Sequence, residues 1–271
     1  MVNRLSTLEA AFVAYGVTLT TSVIQELYER FVDLHRQWSG ELPSLAVIHG
    51  AGFSGKKVTF KAADRKLKKL GFDGVAHVTL FSTFPGIQPQ SSGYTVYSNV
   101  DTERAKVILA GTTSYLLLDG AMQARVEAIF DLCRARYGYG LTRETDRGGP
   151  ISFYARGMAT YLDKPSLEEE EEQLTTQWWG FYVERQKVYE NGELRDLYPW
   201  NYLNEKQLAM PIGGTTLRDW IRSDASRGLL EDRGSGLMLW SLTPVQITEL
   251  RDTVKDAGLL FNWKHYRDRE S

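Results

Sequence analysis

The chain has 271 residues, 42% hydrophobic and 24% charged, ordinary values for a folded protein with room for one large domain or two modest ones. These proportions exclude a disordered chain, a collagen-like repeat and a membrane class. A net charge of -2 excludes a strong overall bias toward polyanions, and the single cysteine, Cys133, excludes an intramolecular disulfide framework.

Asn3, Arg4 and Glu9 interrupt any apolar run at the start of the sequence, so no signal-peptide core is expected and the expected location is the cytoplasm. Ser6-Thr-Leu-Glu9 has the form of a capping box and predicts a short helix ending at Gly16. A second helix is predicted from Ser22, because Ile24, Leu27, Phe31, Leu34 and Trp38 recur at 3-4-3-4 spacing. Glu26, Glu29, Arg30, Asp33 and Arg36 fill its other side.

Leu45 to His49 and Lys57 to Lys61 read as two strands around a glycine-rich turn, followed by a basic helix from about Ala62 to Lys69 that stops at Gly71. Val75 to Phe84 and Tyr94 to Val100 read as strands, with Pro85-Gly, Pro89 and Ser91-Ser-Gly between them. Ser114 to Leu118 is a further apolar strand. Asp119 then caps a helix whose stripe is Met122, Val126, Ile129 and Cys133, which makes Cys133 a core residue. Tyr137 to Leu141 and Ile151 to Ala155 extend the sheet.

An acidic helix is predicted from Ser166 to about Gln177. Trp178 to Leu197 reads as a hairpin around Asn191-Gly192, the pair favoured in a type I′ turn; the alternative is a helix continuing through Val188, with Leu174, Trp178, Phe181 and Val188 on one stripe, against which Gly180 counts. Thr215 and Thr216 cap a helix through Trp220 and Ile221, and Gly236 to Trp240 is a strand, with Trp220 and Trp240 as core. Thr243-Pro244-Val-Gln246 supplies N-cap, N1 proline and capping-box glutamine for a helix carrying Ile247, Leu250, Val254 and Ala257 and ending at Gly258. Leu259 to Phe261 begins a closing strand. The expected class is α+β, with mixed or antiparallel sheets and amphipathic helices packed on them. Residues 1–150 and 151–271 form either two units or one composite fold.

The sharpest chemical motif is Gly50-Ala-Gly-Phe-Ser-Gly-Lys56. Gly50, Gly52 and Gly55 fit a dinucleotide fingerprint, with Asp73 near the spacing of a ribose contact, and with Lys56 they fit a phosphate-binding loop. Both patterns need a helix immediately afterward to aim its amides at the anion. Lys57-Val-Thr-Phe-Lys is a poor helix start, and Lys57 stands where a phosphate loop has its magnesium-holding hydroxyl. A hairpin turn is therefore the preferred interpretation, with His49 as a strand-end residue, and no cofactor or metal is expected.

Charge is unevenly spread. Lys56, Lys57, Lys61, Arg65, Lys66, Lys68 and Lys69 face one carboxylate, Asp64, and could track phosphates, although a solvated helix face is the commoner use of such a run. Glu168, Glu169, Glu170, Glu171 and Glu172 could present acceptors to a basic partner or serve as a helix N-terminal charge cluster. Trp178 and Trp179 are candidates for a binding hot spot beside them. There is no G-x-S-x-G, H-E-x-x-H or C-x-x-C, and the four histidines are far apart in sequence.

The stretch Leu194-Arg-Asp-Leu-Tyr-Pro-Trp-Asn-Tyr-Leu-Asn204, Ile212-Gly-Gly214, the strand ending at Trp240 and the helix over 244–257 together resemble the C-terminal half of bacterial immunity proteins that accompany type VI secretion and other polymorphic toxins. The likeness covers about the last 80 residues and lies in layout. It implies stoichiometric binding of a cognate protein toxin acting in the cytoplasm, a nuclease for example, with no chemistry of the chain's own. The alternatives are a nucleotide-binding or nucleic-acid-acting protein using Gly50 to Lys56, and a subunit of a phage-defence assembly.

Overall fold

A computed structural model describes residues 8–50, 52–82, 96–112, 120–144, 188–234 and 236–262. Its centre is one antiparallel sheet. In chain order the strands are β1 (Leu8–Tyr15), β2 (Leu45–Gly50), β3 (Phe53–Ser54), β4 (Val58–Thr59), β5 (Val75–Ser82), β6 (Val96–Asp101), β7 (Lys106–Thr112), β8 (Tyr137–Glu144) and β9 (Trp200–Leu203). After the small β10 (Pro211–Ile212) and β11 (Thr215–Thr216) pair come β12 (Leu229–Asp232) and β13 (Met238–Ser241). The order across the large sheet is β12-β13-β9-β8-β1-β7-β6-β5-β2-β3, with β4 also on β2. Strands from both sides of residue 150 join through the pairing of β8 with β9. The α+β class expected from the sequence is the class observed.

Helices cover one face. These are α1 (Thr21–Ser39), α2 (Phe60–Leu70) and α3 (Gly120–Leu132). Ile24, Leu27, Phe31 and Leu34 of α1, Phe60, Ala63 and Leu67 of α2 and Val126, Ile129 and Phe130 of α3 pack on the sheet residues Ala10, Phe12, Ala46, Ile48, Val78, Leu80 and Leu109. Each large side chain removed from water in this way contributes roughly 1.5–3 kcal/mol. Cys133 is buried just past α3, and burial pushes its thiol up to about 12, so it is the core residue its spacing predicted.

On the other face the C-terminal elements pack around Trp240 and Trp220, both buried. They include α4 (Glu205–Leu208), α5 (Leu217–Arg222) and α6 (Pro244–Asp256). The capping box of α6 forms as the sequence predicts. The Gln246 amide donates to the Thr243 hydroxyl at 3.3 Å, and the Thr243 amide donates to the Gln246 side-chain carbonyl at 2.9 Å. Gly258 takes a φ of 74° beyond the helix end.

Four expectations are corrected. The predicted first helix is β1, the central strand, paired with β7 on one side and β8 on the other. Ala10 to Tyr15 are buried on both faces, so the run after Glu9 is continuously apolar and carries no period of two. The predicted strand Lys57 to Lys61 is cut short, because the Thr59 hydroxyl accepts from the Ala62 amide and starts α2 at Phe60. Within the described residues Asn191-Gly192 makes no hairpin. Val188–Asn191 is a 3-10 turn, and Gly192 at a φ of 93° closes it with a 3.3 Å bond to the Tyr189 carbonyl. The closing strand reduces to a single parallel bridge, Leu194 with Leu260. The strands β7, β9 and β12 went unread.

Candidate functional site

The glycine motif folds as a tight turn. Gly50 and His49 pair with Phe53 and Ser54, and the Gly55 amide donates to the Ile48 carbonyl at 3.0 Å. Gly50, Gly52 and Gly55 have φ values of 83°, 79° and 72°, a region only glycine enters at no steric cost. Gly55 also lies under the His49 ring, where an added Cβ would sit 2.1 Å from the ring's Cε1 atom. The helix that a phosphate loop needs directly after its glycines begins only at Phe60. Lys56 is exposed beside this turn.

The turn stands at the end of a polar row assembled by strand register. His49, His77, Asp101, Lys106, Tyr15 and Tyr137 are successive cross-strand partners on β2, β5, β6, β7, β1 and β8. Directly opposed residues share a face, so the six form one line across the sheet. Next to it, His77 Nε2 lies 2.7 Å from the Thr79 hydroxyl and 3.0 Å from the Asn99 amide nitrogen. With both donating, Nε2 is the acceptor and the ring proton sits on Nδ1, on the side of Asp101 at 3.9 Å. Burial holds the His77 pKa down to about 4; Asp101 opposes this, while His49, Arg104 and Lys106 reinforce it.

Thr79, His77 and Asp101 stand in the spatial order of a nucleophile, base and orienting carboxylate. Their contacts give them a different task. Thr79 is 3% exposed, and its hydroxyl also takes a 2.9 Å bond from Asn99. Asp101 receives Arg104 Nη1 at 2.8 Å and the Arg104 amide at 3.1 Å. The network ties adjacent strands, and burial among them keeps the His77 ring neutral.

At the far end of the row a tyrosine cluster surrounds Arg195. The Arg195 guanidinium donates to the Tyr139 hydroxyl, its amide donates to Tyr137 at 3.0 Å, and the Tyr15 and Tyr139 hydroxyls are 3.1 Å apart. The Tyr198 ring stacks on Tyr139 at 4.4 Å, and Tyr189 lies 6.1 Å from Tyr137. Burial raises the pKa of Tyr137, Tyr139 and Tyr198, so all three stay protonated donors and acceptors around a charge that Arg keeps at any ordinary pH. The Leu194–Leu260 bridge and a 3.0 Å Arg251 to Asp196 bond fix the segment on either side of Arg195.

Sequence reasoning missed this cluster, and Tyr137-Gly-Tyr-Gly140 was its one local signal. Tyr137 and Tyr139 point to one face. Their neighbours Gly138 and Gly140 leave room on the other, where a Cβ would come 2.6 Å from Phe130 and 2.5 Å from Phe12.

On the opposite face a histidine from α1 is similarly enclosed. His35 lies between the Ser82 and Ser98 hydroxyls at 2.6 and 3.1 Å, and burial lowers its pKa to about 3. Glu168, Glu169, Glu170, Glu171, Glu172, Trp178 and Trp179 lie outside the described residues, as do the strands expected at 114–118 and 151–155. Among the described residues no group of three His, Cys, Asp or Glu side chains could hold a metal, and no helix is long and apolar enough to cross a membrane.

Comparison with known proteins finds a likeness in fold. No protein-family model and no curated protein sequence matches the chain. Among solved structures the chain is similar to the Pseudomonas aeruginosa T6SS protein PA0821, with a TM-score of 0.55, 10% identity, and coverage of 94% of this chain and 76% of the other. At that identity the likeness is one of fold.

Proposed function

We propose that the chain is a non-enzymatic binding protein associated with type VI secretion, an immunity protein that neutralises a cognate cytoplasm-acting toxin by stoichiometric binding. The observation that carries this reading is the fold shared over nearly the whole chain with a T6SS protein. The layout of the last 80 residues supports it from the sequence side. The internal use of His77, Asp101 and Arg195 fits a protein whose polar interior serves rigidity. A rigid surface loses less entropy on docking than a mobile one.

In this reading Glu168, Glu169, Glu170, Glu171 and Glu172 face a basic surface of the toxin, and Trp178 and Trp179 supply apolar anchors. The test is expression of the adjacent gene's product in a heterologous host with and without this chain. The expected outcome is growth arrest relieved by the chain and recovery of a one-to-one complex on a tagged chain. Replacing the five glutamates with glutamine, or both tryptophans with alanine, weakens that complex about tenfold or more. No rescue together with no stoichiometric partner from the native host overturns the proposal.

A further inference from the structure

The charge of α2 is arranged in a way the binding role above does not use. Phe60, Ala63 and Leu67 are its buried strip. At about 100° per residue, Lys61, Arg65 and Lys69 fall on the opposite side, four residues apart and so in one row. Successive members are separated by about 6 Å along the axis, a ridge of about 12 Å. All three are exposed.

The other cations of the helix are engaged. Lys66 donates to the Gly52 carbonyl at 2.9 Å and lies 4.6 Å from the Phe53 ring centre, which fastens the helix to the glycine turn. Lys68 pairs with Asp64 at 2.8 Å, and Asp64 also takes the Tyr28 hydroxyl at 3.0 Å. None of the ion pairs or hydrogen bonds of the described residues includes Lys61, Arg65 or Lys69. Helix electrostatics accounts for Lys69, which sits in the last turn where the carbonyl end favours a cation. It works against Lys61, which stands in a first turn that holds no acidic residue. The row is a basic island on a chain whose net charge is -2.

We infer that the Lys61–Arg65–Lys69 ridge docks the phosphate backbone of a nucleic acid, without reading its sequence. A membrane surface fits less well, because an interfacial helix inserts its apolar face and the apolar face of α2 is already spent on the core. A convex row of cations at regular pitch suits a partner that offers negative charge continuously and in any register. Double-stranded DNA carries one charge about every 1.7 Å of its axis. The inference is independent of the immunity reading, since it needs no protein partner.

The experiment is fluorescence anisotropy of the full chain with a labelled mixed-sequence duplex of about 20 base pairs, titrated between about 50 and 200 mM salt. Three phosphate contacts give a slope of about -2.7 in log affinity against log salt, which is about a 40-fold loss over that range. Arg65→Ala lowers the loss to about 12-fold, and the triple variant K61A/R65A/K69A removes binding while its circular dichroism and thermal midpoint stay those of the parent. The inference is overturned by no salt-sensitive binding at the lowest salt, or by a folded triple variant that binds as the parent does. It is equally overturned if the ridge binds anionic phospholipid vesicles or polyglutamate but not DNA or RNA.

Discussion

The two ends of the polar row solve opposite problems with similar residues. At the β8 end, Arg195 and five tyrosines are shut inside the molecule, where the Arg195 guanidinium donates to Tyr139, its amide donates to Tyr137, and the Tyr15 and Tyr139 hydroxyls bond each other. At the β2 end, His49, the glycine turn and the cations of α2 lie at the surface, and Lys61, Arg65 and Lys69 make no internal pair. A buried cation is a structural element, because leaving its partners unsatisfied in low dielectric is costly. An exposed unpaired one contributes little to stability and is available to another molecule.

The contrast can be broken most forcefully at Arg195. Arg195→Ala is expected to cost on the order of 3–5 kcal/mol in urea denaturation, since it empties a large buried position and takes away the hydrogen bond that Arg195 donates to the Tyr139 hydroxyl. A loss below about 1 kcal/mol would mean the tyrosines repack without it.

Acid is the next probe. Burial holds the pKa of His35 down to about 3 and that of His77 down to about 4, below the ordinary histidine value of 6.5. Between those values and 6.5 the unfolded chain binds more protons, so stability is full above about pH 6.5 and falls as pH drops. His35 alone accounts for a loss on the order of 4 kcal/mol by pH 3, read as a falling urea midpoint from pH 7 through 5 to 4. A flat profile over that window would show that neither ring is held neutral by burial.

Gly140→Ala is expected to destabilise by about 1–3 kcal/mol, because its Cβ would meet the Phe12 and Trp200 rings at 2.5 and 3.0 Å. Gly55→Ala is milder, about 1 kcal/mol from the positive φ, because the exposed His49 ring can swing aside. The smallest effect is that of Lys61→Ala, within about 0.5 kcal/mol of the parent. A large loss there would show Lys61 to be structural and erase the difference between the two ends.

Several elements were legible from local chemistry. The stripe of α1, the Thr243 and Gln246 capping box of α6 and the hairpin nature of the glycine turn each involve residues within a few positions of one another. The tyrosine cluster could not be read this way. Tyr15 meets Tyr139 across 124 residues of sequence, and Arg195 reaches the same place from 56 residues further on. Only the Tyr-Gly alternation hinted at it. Asn191-Gly192 misled because a pair favoured in I′ turns serves equally well wherever a positive φ is wanted, here closing a 3-10 turn.

The amino-acid sequence by itself determined the buried faces of α1, α3 and α6, the caps at Thr216 and Thr243, the α+β class and the local excess of cations on α2. These follow from spacing and from side chains that satisfy nearby backbone groups. Only the tertiary structure decided that Leu8–Tyr15 is the central strand, that six strands align a polar row, and that one end of it is enclosed and the other open. A strand buried on both faces has no periodic signature, and its register is set by partners distant in the chain.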